Sequence, residues 1–138
     1  MVEQILDKGN IIAIIVPAEF EKNGIEFFTP NEFSQQLAYM KHPAGHQIAP
    51  HTHNSVNRNV LNTLETLFIR KGKVRIDFYS QEREYLGNRV VKTGDVVLLA
   101  SGGHGFTMLE PSEMIEVKQG PYAGDKDKIR FEGTKHEH

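Results

Sequence analysis

The sequence predicts an all-β domain, a sandwich or barrel of roughly ten short strands. Short apolar or alternating runs recur along the chain and are separated by Gly, Pro and Asn, the residues that favour turns. The 3.6-residue period of an amphipathic helix does not extend beyond about two turns anywhere. A chain of 138 residues is long enough to bury one sizeable core, so a single domain is expected.

The first 34 residues are predicted to form N-terminal strands and turns. Residues 11–16 are an apolar, largely β-branched run that ends at Pro17, which is typical of a buried strand. Asn23 and Gly24 form a dipeptide that favours tight hairpins, and residues 25–28 would supply the return strand. Residues 35–42 then alternate in polarity until Pro43 interrupts them.

Strands are predicted further along the chain at residues 65–69, 74–79, 84–91, 96–99, 105–109 and 114–119. Residues 54–62 contain four asparagines and little periodicity, so they are interpreted as a long loop that forms a mobile rim over a pocket. In the last strand Ile115 and Val117 are expected to face the core. Glu116 and Lys118 are therefore predicted to face outward as an exposed ion pair.

Composition excludes several classes of function. The 18 acidic and 16 basic residues give a formal net charge of -2, and no basic block indicates a nucleic acid or an anionic membrane as partner. The chain has no cysteine, so disulfides and thiolate ligands are excluded, which fits a reducing compartment. The acidic N-terminus lacks a secretory pattern, and a cytoplasmic protein is expected.

Four residues have the chemistry and the placement of metal ligands. His51 and His53 are two residues apart, so both imidazoles leave the same face of an extended chain. Glu65 shares its strand face with apolar residues, where an uncompensated carboxylate would be costly. His104 follows a glycine turn at the end of another apolar strand. Three imidazoles and one carboxylate, if brought together, favour a divalent transition metal.

The spacing of these residues resembles the two motifs of the cupins. The first motif matches Gly45, five residues, His51-Thr-His53, then Glu65, six residues and Gly72. It departs from the family in its gap, because eleven residues separate His53 from Glu65 where the family usually has three or four. The second motif begins at Gly94, which is followed by five residues, then by residues 100–102, one further residue and His104. Alanine stands in place of the family's proline, and one residue fewer precedes the histidine.

This resemblance implies a double-stranded β-helix, or jelly-roll barrel, that binds a metal through His51, His53, Glu65 and His104. One cupin domain would span residues 1–138, with the barrel at 35–119 and a C-terminal extension at 120–138. The resemblance also implies a homodimer paired through edge strands. Residues 118–122 are similar to a stretch of small cupins encoded among surface-polysaccharide genes, which indicates carbohydrate biosynthesis.

The metal would be Fe, Mn, Ni, Zn or Cu, because a mixed nitrogen and oxygen set does not choose among them. We expect a metalloenzyme acting on a small polar molecule such as a sugar derivative, by isomerase, epimerase or dioxygenase chemistry. The alternative is a metal- or small-ligand-binding module or sensor without catalysis. Tyr39 is the candidate catalytic residue, and Tyr39, Arg58, Phe106 and Met108 are candidate substrate contacts. For Phe106 and Met108, packing in the core is an equal alternative to ligand contact. For Tyr39 and Arg58, the alternative is a structural or solvated role.

Overall fold

The computed structural model describes residues 1–134, and it confirms the all-β prediction. Within these residues the chain forms ten strands and one turn of 3₁₀ helix at Gly124–Asp127. The strands are β1 Glu3–Asp7, β2 Asn10–Val16, β3 Gly24–Phe27, β4 Ala38–Lys41, β5 Glu65–Lys71, β6 Lys73–Tyr79, β7 Tyr85–Lys92, β8 Val96–Leu99, β9 Gly103–Met108 and β10 Glu113–Lys118. No helix in this part of the chain is long and apolar enough to cross a membrane.

All strand pairs are antiparallel, and they form three sheets rather than one closed barrel. A five-stranded sheet has the order β1-β2-β8-β5-β10, and a three-stranded sheet has the order β7-β6-β9. The third sheet contains only β3 and β4. The chain divides into two compact units: unit 1 comprises Met1–Phe20 with the chain from Asn62 onward, and unit 2 comprises Glu21–Leu61.

The core of unit 1 lies between the five-stranded and three-stranded sheets. In β6, Val74, Ile76 and Phe78 are at most 1% exposed, as their alternation with polar residues predicts. Leu67 and Ile69 of β5 meet them from the other sheet within one apolar cluster. Further members of the cluster are Ile5, Ile12, Ala13, Ile15, Val91, Val97 and Leu99. The inner faces of the two sheets are therefore fixed by the period of two residues along each strand.

The predicted hairpin at Asn23-Gly24 is wrong. Strand β2 pairs with β1 and β8, whereas β3, which begins at Gly24, pairs with β4. The hairpin partner of β2 is the polar strand β1, which the pattern of apolar residues did not single out within residues 1–34. Lys8 and Gly9 join β1 to β2 with φ angles of 49° and 82°, the left-handed conformation that a two-residue hairpin turn needs. A dipeptide that favours turns thus did not identify which strands pair.

The outward orientation predicted for Glu116 and Lys118 is also wrong. Strand β10 pairs with β5 so that Glu116 lies opposite the buried Leu67, and Lys118 lies opposite Glu65. Directly opposed residues share a sheet face, so both charged side chains are on the inner face, where Glu116 is exposed as predicted and Lys118 is partly buried. Ile115 and Val117 point outward and are each 51% exposed. The apolar side of this edge strand is the solvent side.

Candidate functional site

Glu65 and His104 meet on the inner side of unit 1. Glu65 opens β5 opposite Leu99 of β8, and His104 lies on β9 opposite Phe78 of β6. The Oε2 atom of Glu65 is 3.5 Å from Nε2 of His104, and their side chains are 14% and 26% exposed. Two potential metal donors from opposite sheets are therefore adjacent and still open to solvent.

The environment of Glu65 favours its ionised form. The hydrogen bond from His104 lowers the pKa of Glu65 below its ordinary value, and burial opposes this effect only in part. The pKa of Glu116 is raised, first by desolvation and then by the neighbouring Glu65 carboxylate. Lys118 and Lys128 act in the opposite direction on Glu116. Of these two neighbouring carboxyl groups, Glu65 is therefore the one that ionises more readily and Glu116 the one that keeps its proton to higher pH.

Glu116 and Lys118 complete an inner cluster with Glu65 and His104, a role that the sequence pattern did not predict for either residue. The Lys118 ammonium lies 3.7 Å from a carboxylate oxygen of Asp127, which follows in the C-terminal segment. A signal was present in the sequence, because Met114, Glu116 and Lys118 recur with the strand period. Met114 packs against the apolar core, which identifies their shared face as the inner one.

Phe106 and Met108 extend the apolar wall beside His104. They lie opposite Ile76 and Val74 of β6, on the inner face of β9. Although that face packs against the core along β6, Phe106 and Met108 are 37% and 47% exposed. The inner cluster is therefore flanked by apolar side chains that a ligand can contact.

His51 and His53 lie in unit 2, in a stretch from 46 to 61 that forms no helix or strand. Their ring centroids are 5.2 Å apart in an edge-on arrangement, and both side chains are exposed. Nδ1 of His51 is 2.9 Å from the carbonyl oxygen of Ala49, so Nδ1 carries the proton and donates it. With Nδ1 as the donor, a neutral His51 has its lone pair on Nε2, which is how a metal-binding imidazole is commonly oriented.

The remaining candidate contacts are also in unit 2. Tyr39 lies on β4 opposite Glu26 of β3 and is partly buried. Arg58 is exposed in the irregular stretch, within the loop predicted at residues 54–62. Neither placement identifies a catalytic group, so a structural or solvated role is still the alternative for Tyr39 and Arg58.

The structure thus brings the four predicted ligands together as two pairs, Glu65 with His104 in unit 1 and His51 with His53 in unit 2. Across residues 1–134, no group of three or more His, Asp or Glu side chains is arranged to hold a metal ion. Comparison with protein-family models, curated proteins and solved structures finds nothing that matches the chain.

Proposed function

We propose that the protein binds a divalent transition metal and acts on a small polar molecule such as a sugar derivative. The observation that carries this proposal is the Glu65–His104 pair, an ionised carboxylate and an imidazole 3.5 Å apart on the inner side of a β-sandwich. Carboxylate oxygen and imidazole nitrogen are a donor combination that such metals accept. The sequence motif adds His51 and His53 as the other ligands, and the free Nε2 of His51 supports that role.

The proposed architecture is a cupin-like jelly roll, supported by the antiparallel sandwich and by the position of Glu65 and His104 on its inner faces. A bound metal would act as a Lewis acid toward an oxygen of the ligand. Glu116, whose pKa is raised, would serve as a proton donor to the ligand, and Lys118 would orient a polar group. Phe106 and Met108 would exclude water from one side. We place this activity in the cytoplasm, consistent with the absence of cysteine.

If all four ligands hold one ion, replacing a ligand of either pair should release that ion. His104→Ala, Glu65→Gln and His51→Ala should each reduce the metal content of the purified protein well below one ion per chain. A ligand that binds only the native state stabilises it by about 2.7 kcal/mol at a hundredfold excess over Kd. Each variant should therefore lose most of the difference in melting temperature between metal-loaded and chelator-treated protein.

Glu113→Gln is a matched control, because Glu113 also lies on β10 but is exposed and lies 3.8 Å from the Arg70 guanidinium. It should keep full metal content, measured by elemental analysis of protein loaded with each metal in turn. If wild type binds no metal, or if the three ligand variants keep it, the proposal is wrong. Independent loss of two ions would instead assign each pair its own site.

Inner-cluster residues Glu116 and Lys118 favour an enzyme over a non-catalytic binding module, because they supply an acid and a cation next to the metal donors. Turnover of a sugar derivative or metal-dependent uptake of dioxygen would support catalysis. Tight binding of such a ligand without turnover would support the module or sensor.

We also propose a homodimer through an edge patch defined by Phe68, Ile115 and Val117. These outward-facing side chains are 39%, 51% and 51% exposed, and β10 is the edge of its sheet. Exposed apolar residues on an edge strand favour association with another chain. Ile115→Glu should raise the dimer dissociation constant at least about tenfold, measured by sedimentation equilibrium.

Val90→Glu is the control for the edge patch, since Val90 is 54% exposed on β7 of the other large sheet. That variant should associate as wild type does. A wild-type chain that stays monomeric at high concentration, or equal effects of both substitutions, would contradict the proposed interface.

A further inference from the structure

The two large sheets of unit 1 do not close against each other between the edge strands β9 and β10. Phe106 and Met108 of β9 lie opposite fully buried residues of β6, so they are on the inner face of their sheet. Apolar side chains on the inner face of a β-sandwich are normally buried between the sheets. Phe106 and Met108 are nevertheless 37% and 47% exposed, so this side of the sandwich is open. The opening between β9 and β10 is here named the groove.

Strand β10 supplies the other side of the groove. Met114 and Glu116 lie opposite buried residues of β5, so they are on the inner face of the five-stranded sheet. Met114 packs partly buried against the core, and Glu116 is exposed. Both β9 and β10 are the last strands of their sheets in the described part of the chain. No further strand there covers the groove from the side.

The two ends of the groove differ in their chemistry. At one end it meets the inner cluster, where the ring of His104 lies 5.4 Å from the ring of Phe106, measured between centroids. At the other end residues 109–112 connect β9 to β10. This connection packs on the turn between β5 and β6, because the backbone N–H of Leu109 donates to the carbonyl oxygen of Lys73 over 3.0 Å. The groove is therefore charged where it begins and apolar where it is closed.

The dimensions and the donors of the groove indicate what it can hold. Four residues separate His104 from Met108, which is about 13 Å along a strand. At the charged end, Glu65 accepts hydrogen bonds and Lys118 donates them, and a hydroxyl group can serve both partners. Further along, Phe106, Met108 and Met114 offer only apolar surface. A ligand that fits both ends has a hydroxylated head and a hydrophobic substituent.

We propose that the groove binds the hydrophobic substituent of an amphipathic ligand whose hydroxylated head lies at the inner cluster. This inference rests on the proposed function for the head group, and it narrows the ligand to a sugar derivative that carries an alkyl or aryl group. The substituent lies along Phe106, Met108 and Met114 and removes their exposed surface from water. Burial of apolar surface on both partners then favours binding.

The test is a calorimetric titration of metal-loaded protein with methyl, butyl and hexyl glucoside. Each methylene group that enters the groove should raise the affinity about fourfold. Met108→Ser should reduce this gain for butyl and hexyl glucoside, because it replaces apolar surface at the closed end. It should leave the affinity for methyl glucoside unchanged, since a methyl group does not reach Met108. Unchanged binding of methyl glucoside also verifies that the variant is folded.

Val90→Ser is the matched control, because Val90 is 54% exposed on the three-stranded sheet but lies opposite Arg75 on the outer face. It should leave the whole series at wild-type affinity. Equal affinities for methyl and hexyl glucoside in the wild type, no binding of hexyl glucoside, or equal losses in the two variants would overturn the proposal. If Met108→Ser weakened self-association but not binding of hexyl glucoside, the groove would be an interface with a second copy of the chain, and the proposal would be wrong.

The same series in chelator-treated protein separates the groove from the metal. An affinity that still rises with chain length supports the groove even if the metal proposal fails. Metal binding without any gain from chain length would keep the metal proposal and overturn the groove alone.

Discussion

Replacing Gly72 with alanine is expected to destabilise the protein by roughly 2–5 kcal/mol, the sum of left-handed backbone strain and overpacking. Gly72 joins β5 to β6 with a φ angle of 97°, a conformation that glycine adopts without strain. An added Cβ would lie 2.6 Å from the carbonyl oxygen of Pro111 and 2.8 Å from Cα of Ser112. Both are backbone atoms, so the connection between β9 and β10 would have to move.

Gly9→Ala separates the two contributions. Gly9 has a similar φ angle of 82°, but nothing lies within 4 Å of the Cβ position. Only the backbone strain remains, so this variant should lose about 1–2 kcal/mol. The measurement is urea unfolding followed by circular dichroism in the presence of chelator, which removes any contribution from metal. Equal losses for the two variants would show that the contact with Pro111 and Ser112 does not determine the effect.

Replacing Phe78 with alanine is expected to cost about 3–5 kcal/mol, because a fully buried ring is removed and its cavity cannot close. Phe78 is 1% exposed and lies between Gly87 of β7 and His104 of β9 on the central strand β6. The neighbouring glycine has no side chain to fill the space. Because Phe78 is the β-sheet partner of His104, the same substitution should also lower metal affinity if the proposed site is correct.

Phe27→Ala is the control for loss of an aromatic ring, since Phe27 is 60% exposed on β3. Its cost should stay below about 1 kcal/mol. Phe78→Leu leaves a smaller cavity and should recover about half of the lost stability. These three variants can be compared by the same urea unfolding experiment. A loss in Phe78→Ala no greater than in Phe27→Ala would mean that β6 is not the centre of the core.

The pattern of apolar residues alone determined the strand content and most of the core. Val74, Ile76 and Phe78 alternate with polar residues, and this period of two directs them to one face in any register. The run at residues 96–99 is apolar throughout, as expected for a strand that pairs with β2 on one side and β5 on the other. The sequence also identified Glu65 as a carboxylate on an apolar face.

Only the tertiary structure decided which strands pair and which face of an edge strand is inside. Asn23-Gly24 favours a turn, but the pairing of β3 with β4 depends on residues that the dipeptide does not contain. Ile115 and Val117 are more apolar than Glu116 and Lys118, yet register with β5 places the charged pair on the inner face, with Glu116 still exposed. Strand β10 lies at the edge of its sheet, and none of its side chains is fully buried. Hydrophobicity alone therefore does not determine which of its faces is the inner one. The meeting of Glu65 with His104 likewise depends on two sheets packing together, a long-range contact that no local sequence pattern encodes.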